Sequence, residues 1–476
     1  MGGGTRDARG CGLSSGRRVL VVGGGLAGIT AALDCAAAGA RVTLVEVRRR
    51  LGGAAYSFHR EGLHMDNGQH VFLRCCAAYR GLLGRLGSEP LVSVQPQLEI
   101  PVLKPGSPPA LLRRNSLPAP LQLAGALARY PHLSVGRRVG AARAALALLR
   151  LNPARAHELE GITFGEWLAR FGQGPEEVAA LWDLIALPTL NLPAAEASVE
   201  LSAFVFRTGL LSGADAGDIG FHDATLGETI GEPAGRALAA AGVEVMLGWR
   251  AERLTTGADA IEVHGAGGAG LSAEVVIVAL PHARAAALLE ESAGELARRI
   301  AQIESSPIVN LHVVYDRPVT EYRFAAGVGT PVQYLFDRSA AAGAPAGCQY
   351  LAVSLSGAER EMQMRVEALR ERYEPALLEL LPGARRARVE LFLATREHAA
   401  TFRASPGVNA LRPGPLTPVR GLLLAGAWTD TGWPATLEGA VLSGHAAAER
   451  ALSMLDLEPG APDSAGAGLA ASGSER

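Results

Sequence analysis

The chain of 476 residues has little net charge, few cysteines and no long apolar run, and each shortage excludes a class of protein. Its formal net charge of −2 argues against nucleic-acid binding by the protein as a whole. The five cysteines form no C-x-x-C pair and no metal-ligand spacing, so we predict no metal site. Their odd number and the adjacent pair Cys75 and Cys76 favour a reducing, cytoplasmic compartment. No uncharged apolar run reaches the roughly 18 residues that a membrane-spanning helix needs.

Length and composition predict a large folded region between two polar ends. With 48% hydrophobic residues, the chain can form two or three domains with ample cores. Residues 1–16 are rich in Gly, Ser and Arg and lack the apolar core of a secretory signal, so we predict a disordered leader. Residues 456–476 are rich in Ala, Gly and Ser with scattered charges, which predicts a disordered tail.

Residues 19–28 have the pattern of a dinucleotide-binding turn. An apolar strand leads into Gly23, which permits a tight turn, and Gly25, which lets the backbone approach a pyrophosphate. Gly28 allows the following helix to pack close to the strand, and the pyrophosphate is expected at that helix's positive N-terminus. Glu46 ends the next apolar run, where a carboxylate accepts hydrogen bonds from ribose hydroxyls.

Three stretches with α/β character lie far apart, which indicates a cofactor domain assembled from discontinuous pieces. The segments between them contain runs of β-branched and aromatic residues, which predict an antiparallel sheet. The expected fold class is therefore α/β, with a Rossmann-like domain and a second α+β domain for the substrate. The first domain is assigned to residues 17–95, 198–289 and 411–455, the second to residues 96–197 and 290–410, and its strands to residues 310–316, 332–337 and 349–355.

Two further segments suit a bound cofactor. Gly52 and Gly53 follow the strand that ends at Glu46, and two glycines there let the backbone curl around a flat or anionic ligand. Arg50 can neutralise phosphate charge. Near the C-terminus, a helix predicted to begin near Thr436 would direct its N-terminal amides at a partner.

These features together resemble the superfamily of FAD-dependent amine oxidases and phytoene desaturases. The motifs that carry the resemblance are the Gly-rich turn, Glu46 with Arg50, Gly52–Gly53, and the helix start Leu437-Glu-Gly-Ala. Two longer segments, Asp66-Asn-Gly-Gln-His-Val-Phe-Leu and Thr429-Asp-Thr-Gly-Trp-Pro-Ala-Thr, most resemble the hydroxysqualene dehydroxylase branch. The resemblance implies a GR2-type flavoprotein with FAD as its cofactor. It also implies that FAD is held by Gly23, Gly25, Leu26, Ala27, Gly28, Glu46, Arg50, Gly52, Gly53, Val245, Gly426, Thr436, Leu437, Glu438 and Gly439.

The chain departs from the superfamily's pattern at two positions. Ala54 follows the Gly-Gly pair where the superfamily often has Arg, and Ala427 follows the C-terminal Ala-Gly where it often has Asp. Each change removes a polar contact to the cofactor and is expected to cost about 1–3 kcal/mol where a buried partner is left unpaired.

The branch resemblance implies a reductive dehydroxylation of a long-chain isoprenoid, hydroxysqualene, to squalene. Such chemistry needs a dry apolar tunnel, one general acid, and hydride from reduced FAD. His70 is the first candidate for the acid and Asp430 the second. The alternative for His70 is a structural or flavin-contacting residue, and for Asp430 a cap on the approach to the helix.

Residues 100–157 contain no Asp or Glu, but they contain Lys104 and eight arginines among leucines and alanines. A basic, apolar and partly helical segment can lie on an anionic membrane. We therefore predict peripheral attachment to the inner face of the cell membrane, against the alternative of a solvated face of the substrate domain.

Other activities suit the same cofactor frame. A carotenoid desaturase transfers hydride in the opposite direction, and an amine oxidase needs an aromatic cage that Trp428 can imitate. A lipid- or flavin-binding protein without turnover is the alternative from another class. The sequence does not decide the electron donor or the oligomeric state.

Overall fold

The computed structural model describes residues 17–151, 159, 161–268 and 270–458. The predicted leader and residues 459–476 of the predicted tail lie outside these residues. The strands are β1 Arg18–Val22, β2 Arg41–Glu46, β3 Ser57–Arg60, β4 Leu63–Asp66, β5 Phe72–Leu73, β6 Val92–Val94, β7 Glu99–Leu103, β8 Ala110–Arg113, β9 Ile219–His222, β10 Glu244–Leu247, β11 Ala251–Thr256, β12 Ile261–Gly265, β13 Gly270–Ala273, β14 Val275–Val278, β15 Ser305–Tyr315, β16 Phe324–Gly327, β17 Tyr334–Asp337, β18 Gln349–Ser356, β19 Val389–Phe402 and β20 Leu422–Leu424. The helices are α1 Leu26–Ala37, α2 Ala77–Leu86, α3 Ala124–Arg129, α4 Val135–Arg150, α5 Phe164–Ala169, α6 Pro175–Glu177, α7 Asp183–Leu190, α8 Val199–Phe206, α9 Glu232–Ala240, α10 His282–Leu289, α11 Gly294–Ala301, α12 Ser339–Ala342, α13 Glu359–Met362, α14 Val366–Leu380, α15 Val408–Leu411 and α16 Leu437–Met454.

A five-stranded parallel sheet with the order β10-β2-β1-β14-β20 forms the nucleotide-binding half. Its strands come from the three distant stretches that the sequence assigned to this domain. Continuous apolar runs suit these strands because both faces of the sheet are buried, one in the cluster of α1, α9 and α16 and the other in the cluster that includes β11 and β12. Helix α1 follows β1 directly and packs along α16, so the beginning and the end of the fold meet beside the nucleotide-binding turn.

A seven-stranded sheet with the order β19-β15-β18-β17-β16-β7-β8 forms the second half. Its pairs are antiparallel, except that β16 and β7 run parallel, so the expected antiparallel sheet is mixed at this one junction. Alternate residues of β15 divide between the two faces. Val309, Leu311 and Val313 pack on one face with Leu369 and Leu377 of α14.

The other face of this sheet bears the polar residues Asn310 and His312. The strand register brings His312 opposite Ala352 and brings Phe336 into the same row. Phe336 in turn stacks on Phe324, at 6.1 Å between ring centroids. This face therefore has a polar end on β15 and β19 and an aromatic end on β16 and β17.

The predicted α/β fold with a Rossmann-like domain and a second α+β domain is confirmed. Residues 358–381, where charges and leucines recur at helical spacing, form the two helices α13 and α14, separated by a turn. Ile261 begins β12, the middle strand of an antiparallel three-stranded sheet, β11-β12-β13. Within the described residues, none of the helices is both long and apolar enough to cross a membrane.

Candidate functional site

The connection from β1 through the turn into α1 requires glycine at two positions, Gly23 in the turn and Gly28 in the first turn of the helix. Gly23 has a φ of +119°, and a Cβ there would lie 2.3 Å from the carbonyl oxygen of Ala279 on the neighbouring strand's extension. A Cβ at Gly28 would lie 1.9 Å from the carbonyl oxygen of Gly23. At both positions the nearest neighbour is a backbone atom, so strand, turn and helix lie too close together for any side chain. The sequence predicted this close packing.

The N-terminus of α1 has the free amides that a phosphate group needs. Gly25 is the N-cap residue and has no side chain to accept from them, and the first turn contains no acidic residue. The amides of Leu26, Ala27 and Gly28 begin the helix and have no carbonyl partner within it. Gly53 packs opposite, where a Cβ would lie 2.7 Å from the Cα atom of Gly25. These residues fit the pyrophosphate of FAD.

Glu46 is held rigidly at the carboxyl end of β2. Its Oε2 accepts from the amide of Gly24 and its Oε1 from the amide of Arg48, both at 2.7 Å, and only 8% of the residue is exposed. Each carboxylate oxygen retains a lone pair, so the group can still accept from ribose hydroxyls. Val245 lies on the edge strand β10 and pairs with Leu44 of β2. Its backbone therefore borders the end of β2 that carries Glu46.

Arg50 connects the Gly-Gly segment to the second domain. Its Nη1 donates to the carbonyl of Gly53 at 3.0 Å, and its guanidinium lies 3.6 Å above the centroid of the Tyr56 ring. Tyr56 donates from its hydroxyl to Glu397 of β19 at 3.0 Å. The carbonyl of Gly52 accepts from the amide of Ala55, which closes the turn. Arg50 thus places a positive charge next to Gly53, although Ala54 contributes none.

The C-terminal segment presents a second helix N-terminus to the same region. Thr436 caps α16 by accepting from the amide of Gly439 at 3.1 Å. Glu438 does not offer its side chain to a cofactor, because its oxygens accept from the amides of Ala78 at 3.0 Å and Tyr79 at 2.7 Å at the start of α2. For Glu438 and Leu437, only the backbone amides therefore stay available for a ligand.

Gly426 precedes this helix and packs against Trp428. A Cβ at Gly426 would lie 2.6 Å from Nε1 of Trp428, which itself donates to the carbonyl of Leu280 at 2.8 Å. The amide of Gly426 donates to the Ser443 hydroxyl inside α16. These contacts hold Gly426 between strand β20 and helix α16. The assignment of individual residues to FAD stays a prediction.

The turn Asp66–His70 joins the cofactor segments to the second sheet. Asn67 donates to the carbonyl of Ala54 at 2.9 Å and to Glu397 at 3.0 Å. The carbonyl of Asn67 accepts from Asn310 Nδ2 at 2.8 Å and from the Thr395 hydroxyl at 3.3 Å. The turn is therefore fixed to the polar end of the sheet face, close to the Gly-Gly segment.

His70 is the last residue of this turn and lines a small cleft. Burial lowers the pKa of the His70 imidazole, although the charges of Asp66 and Glu397 oppose this shift. The neutral imidazole is favoured, so proton donation by His70 requires its less populated protonated form. The other residues that line the cleft are Asp66, Gln69, Val71, Phe221, His222, Leu226, Arg323, Phe336, Asp337 and Arg338.

Asp430 lies at the surface rather than in a dry tunnel. Its Oδ1 accepts from the amide of Gly432 at 3.2 Å, and its own amide donates to Pro413. This geometry is the one expected of a turn residue on the approach to α16. The structure does not bring Asp430 into the cleft that His70 lines, so a role as the acid has no geometric support.

Arg412 is a buried residue that the sequence analysis did not identify. It donates to the carbonyls of Trp428 at 3.2 Å, Thr429 at 2.6 Å and Trp433 at 2.7 Å, and it is 4% exposed. Burial lowers its pKa to about 10. Arg412 thereby fixes the loop that leads into α16, and no sequence motif distinguishes it from the many other arginines.

The polar residues of β15 were also missed. His312 is fully buried, with Nδ1 2.6 Å from the Tyr350 hydroxyl and Nε2 3.0 Å from the Thr395 hydroxyl. Burial lowers its pKa to about 4. The signal was present, because Asn310 and His312 are two residues apart in a predicted strand and must point to the same face.

Comparisons with known proteins agree with this geometry. The sequence profile of the flavin containing amine oxidoreductases matches residues 26–452. The chain is 31% identical over 448 residues to a hydroxysqualene dehydroxylase from Rhodopseudomonas palustris, which covers 92% of this chain and 99% of the relative. It is 25% identical to a zeta-carotene desaturase from Zea mays, over 90% of this chain and 82% of the relative. The solved structure of cyclohexylamine oxidase from Brevibacterium oxydans has the same fold, with a TM-score of 0.72 at 16% identity over 93% of this chain and 100% of that one.

Proposed function

The chain belongs to the flavin containing amine oxidoreductase family and is an FAD-dependent oxidoreductase, and from this premise we propose that it converts hydroxysqualene to squalene. The observation that carries the proposal is the match to a hydroxysqualene dehydroxylase along 99% of that relative's length. The long-chain isoprenoid alcohol is the substrate, and the reaction belongs to squalene and hopanoid biosynthesis.

The reaction replaces a hydroxyl group by hydrogen. The carbon–oxygen bond breaks, the hydroxyl leaves as water with one added proton, and a carbon–hydrogen bond forms. Bound FAD in its reduced form supplies the hydride. The protein must orient the hydroxyl, exclude water and provide the proton.

The sheet face with a polar end and an aromatic end suits these tasks. Phe324, Tyr334 and Phe336 stack along the aromatic end, with ring centroids 6.1–6.4 Å apart. Aromatic faces exclude water and attract the positive charge that develops when the hydroxyl leaves an allylic carbon. His70, beside the polar end, remains the first candidate for the proton donor.

A carotenoid desaturase is the runner-up, since the maize relative is also similar over most of the chain. That reaction needs oxidised FAD and removes hydride from the substrate. The direct test is an absorbance spectrum of the purified protein, followed by anaerobic incubation of the dithionite-reduced form with hydroxysqualene and mass analysis of the product.

A flavin spectrum together with squalene supports the proposal. A flavin spectrum without squalene, but with turnover of a carotenoid or an amine by the oxidised form, would transfer the assignment to a desaturase or an oxidase. A colourless protein that does not take up added FAD would favour the binding protein without turnover. The oxidised form incubated with hydroxysqualene is the control and is expected to give no squalene.

We further propose that the protein works at the inner face of the cell membrane, through residues 100–157. Among residues 100–151, which the structure describes, six large apolar side chains are exposed, led by Val135 at 72% and Val139 at 57%. On α4, Val135, Val139 and Leu146 follow one another at helical spacing on the exposed side, while Ala144 and Leu148 face the core. The remaining exposed apolar side chains are Leu111, Leu117 and Leu121, on β8 and the loop before α3.

The basic charge of this surface is smaller than the sequence indicates. Arg113 pairs with Glu99, Arg114 with Asp218 and Arg137 with Glu177. These carboxylates lie outside the acid-free stretch and reach it only in the folded chain. Three exposed arginines near the apolar side chains pair with no carboxylate among the described residues, namely Arg129, Arg143 and Arg150. Their positive charge favours binding to an anionic lipid surface.

A further inference from the structure

The guanidinium of Arg50 is half-buried and forms an ion pair with no carboxylate among the described residues. Burial lowers its pKa. Its Nη1 donates to the carbonyl of Gly53 at 3.0 Å, and its Nε and Nη2 have no partner in the described part of the chain. A partly buried charge that the protein leaves unneutralised is costly, so this arginine is expected to meet an anionic ligand.

The ring of Tyr56 supports this guanidinium from one face. The Cζ atom of Arg50 lies 3.6 Å from the ring centroid. Stacking uses a face of the guanidinium, whereas its N–H donors point outward in the guanidinium plane. The contact therefore holds Arg50 in place without using the donors that bind a phosphate.

Tyr56 is itself fixed at both ends. Its amide donates to Asn67 Oδ1 at 3.1 Å, and its hydroxyl donates to Glu397 Oε1 at 3.0 Å. Burial and the charge of Glu397 raise the pKa of the hydroxyl, which therefore stays protonated and remains the donor. Glu397 thus accepts from Tyr56 and Asn67, and not from Arg50, whose charge remains available.

We propose that Tyr56 is a positioning residue for FAD and acts by holding the guanidinium of Arg50 towards the phosphate groups. The pyrophosphate is predicted beside Gly25 and Gly53, which approach each other closely, and Arg50 is bonded to Gly53. Ala54 supplies no charge at this point, so FAD binding depends more strongly on Arg50. The role does not depend on which substrate the enzyme converts.

Titration of FAD into the full-length apoprotein, followed by quenching of flavin fluorescence, tests this role without turnover. Tyr56→Leu removes the ring and Tyr56→Phe removes only the hydroxyl. Each is measured alone and together with Arg50→Met. Tyr322→Leu is the matched control, because this half-buried tyrosine packs with the cluster on the α14 side of the second sheet.

We expect Arg50→Met and Tyr56→Leu each to weaken FAD binding about tenfold, and Tyr56→Phe about threefold. Together with Arg50→Met, neither Tyr56 substitution should weaken binding further, because its effect passes through the guanidinium. Tyr322→Leu should bind FAD like the wild type.

Wild-type affinity in Tyr56→Leu or in Arg50→Met overturns the inference. A Tyr56 substitution that weakens binding just as much together with Arg50→Met also overturns it, since the tyrosine would then act independently of Arg50. Thermal unfolding of each apoprotein shows whether the fold is retained. If Tyr56→Leu does not fold, the same comparison made with Tyr56→Phe decides the question.

Discussion

Asn310 of strand β15 donates from its side-chain amide to the backbone carbonyl of Asn67, at 2.8 Å. This bond connects the antiparallel region of the second sheet with the turn that carries His70. Asn67 in turn donates to the carbonyl of Ala54, next to the Gly-Gly segment predicted to contact FAD. Two hydrogen bonds therefore link the polar end of this sheet, through the turn, to the segment predicted to contact FAD.

Substitution of Gly28 by Ala is expected to destabilise the nucleotide-binding turn. The added Cβ would lie 1.9 Å from the carbonyl oxygen of Gly23, so strand and helix must separate. Overpacking of this kind costs about 1–3 kcal/mol and also disturbs the amides at the helix N-terminus. We expect a lower midpoint of thermal unfolding and less bound flavin per protein.

The control is Gly81→Ala in α2, where nothing lies within 4 Å of the added Cβ. This substitution is expected to stabilise the exposed helix slightly, since Ala is favoured over Gly by about 1 kcal/mol. Equal flavin content in Gly28→Ala and Gly81→Ala would contradict the assigned role of the turn.

Substitution of Arg412 by Met is expected to release the loop before α16. The carbonyls of Trp428, Thr429 and Trp433 would lose their donor, and each buried carbonyl left unpaired costs about 1–3 kcal/mol. We expect lower stability in denaturant titrations and a weaker affinity for FAD, measured by quenching of flavin fluorescence. Arg420→Met, at an exposed arginine, should alter neither quantity.

The stability of the protein is expected to fall on mild acidification, in part because of His312. Burial lowers its folded-state pKa to about 4, while a histidine in an unfolded chain titrates near 6.5. As the pH falls from about 6.5 towards 4, the unfolded chain binds a proton that the folded protein excludes, so stability is lost across this window.

The variant His312→Gln should be less stable than the wild type near pH 7, because the bonds to Tyr350 and Thr395 change. It should nevertheless lose less free energy of unfolding between about pH 7 and pH 5, measured by denaturant titration. His59→Gln, at an exposed histidine, serves as the control and should keep the wild-type slope. A slope unchanged by His312→Gln would refute the assignment.

Membrane attachment is expected to depend on the exposed valines of α4. The double variant Val135→Glu/Val139→Glu removes apolar contact and adds charge that anionic lipid repels. In flotation with vesicles of equal parts phosphatidylcholine and phosphatidylglycerol at low salt, we expect the wild type to bind and the double variant to remain unbound. Binding should weaken at high salt and in pure phosphatidylcholine.

The control for this experiment is Leu247→Glu, at a residue of β10 that is 45% exposed. It changes an exposed apolar residue to an acid elsewhere on the protein and is expected to bind vesicles like the wild type. Absence of wild-type binding to anionic vesicles at low salt would exclude the membrane proposal while leaving the enzymatic one intact.

The nucleotide-binding half could be predicted from the sequence because its signals are local. The spacing of Gly23, Gly25 and Gly28 follows from steric limits within one strand–turn–helix, and Thr436 caps the helix whose start it predicted. Three strands of the second sheet, β15, β17 and β18, were also predicted from their residue types, but β7, β8, β16 and β19 were not, and neither was the strand order. Order depends on pairings between residues far apart in the chain, such as those of β7 and β16.

The chain by itself determined which family it resembles, and it predicted where a dinucleotide binds and which helix ends point at it. The tertiary structure decided that Glu438 caps α2, that Asp430 stays at the surface, and that Asn310 donates to the carbonyl of Asn67 in the turn. It also neutralised part of the basic stretch with distant carboxylates such as Asp218. The physical reason is that turn geometry and helix capping act over a few residues, whereas the partner of a buried polar side chain is set by which distant segment packs against it.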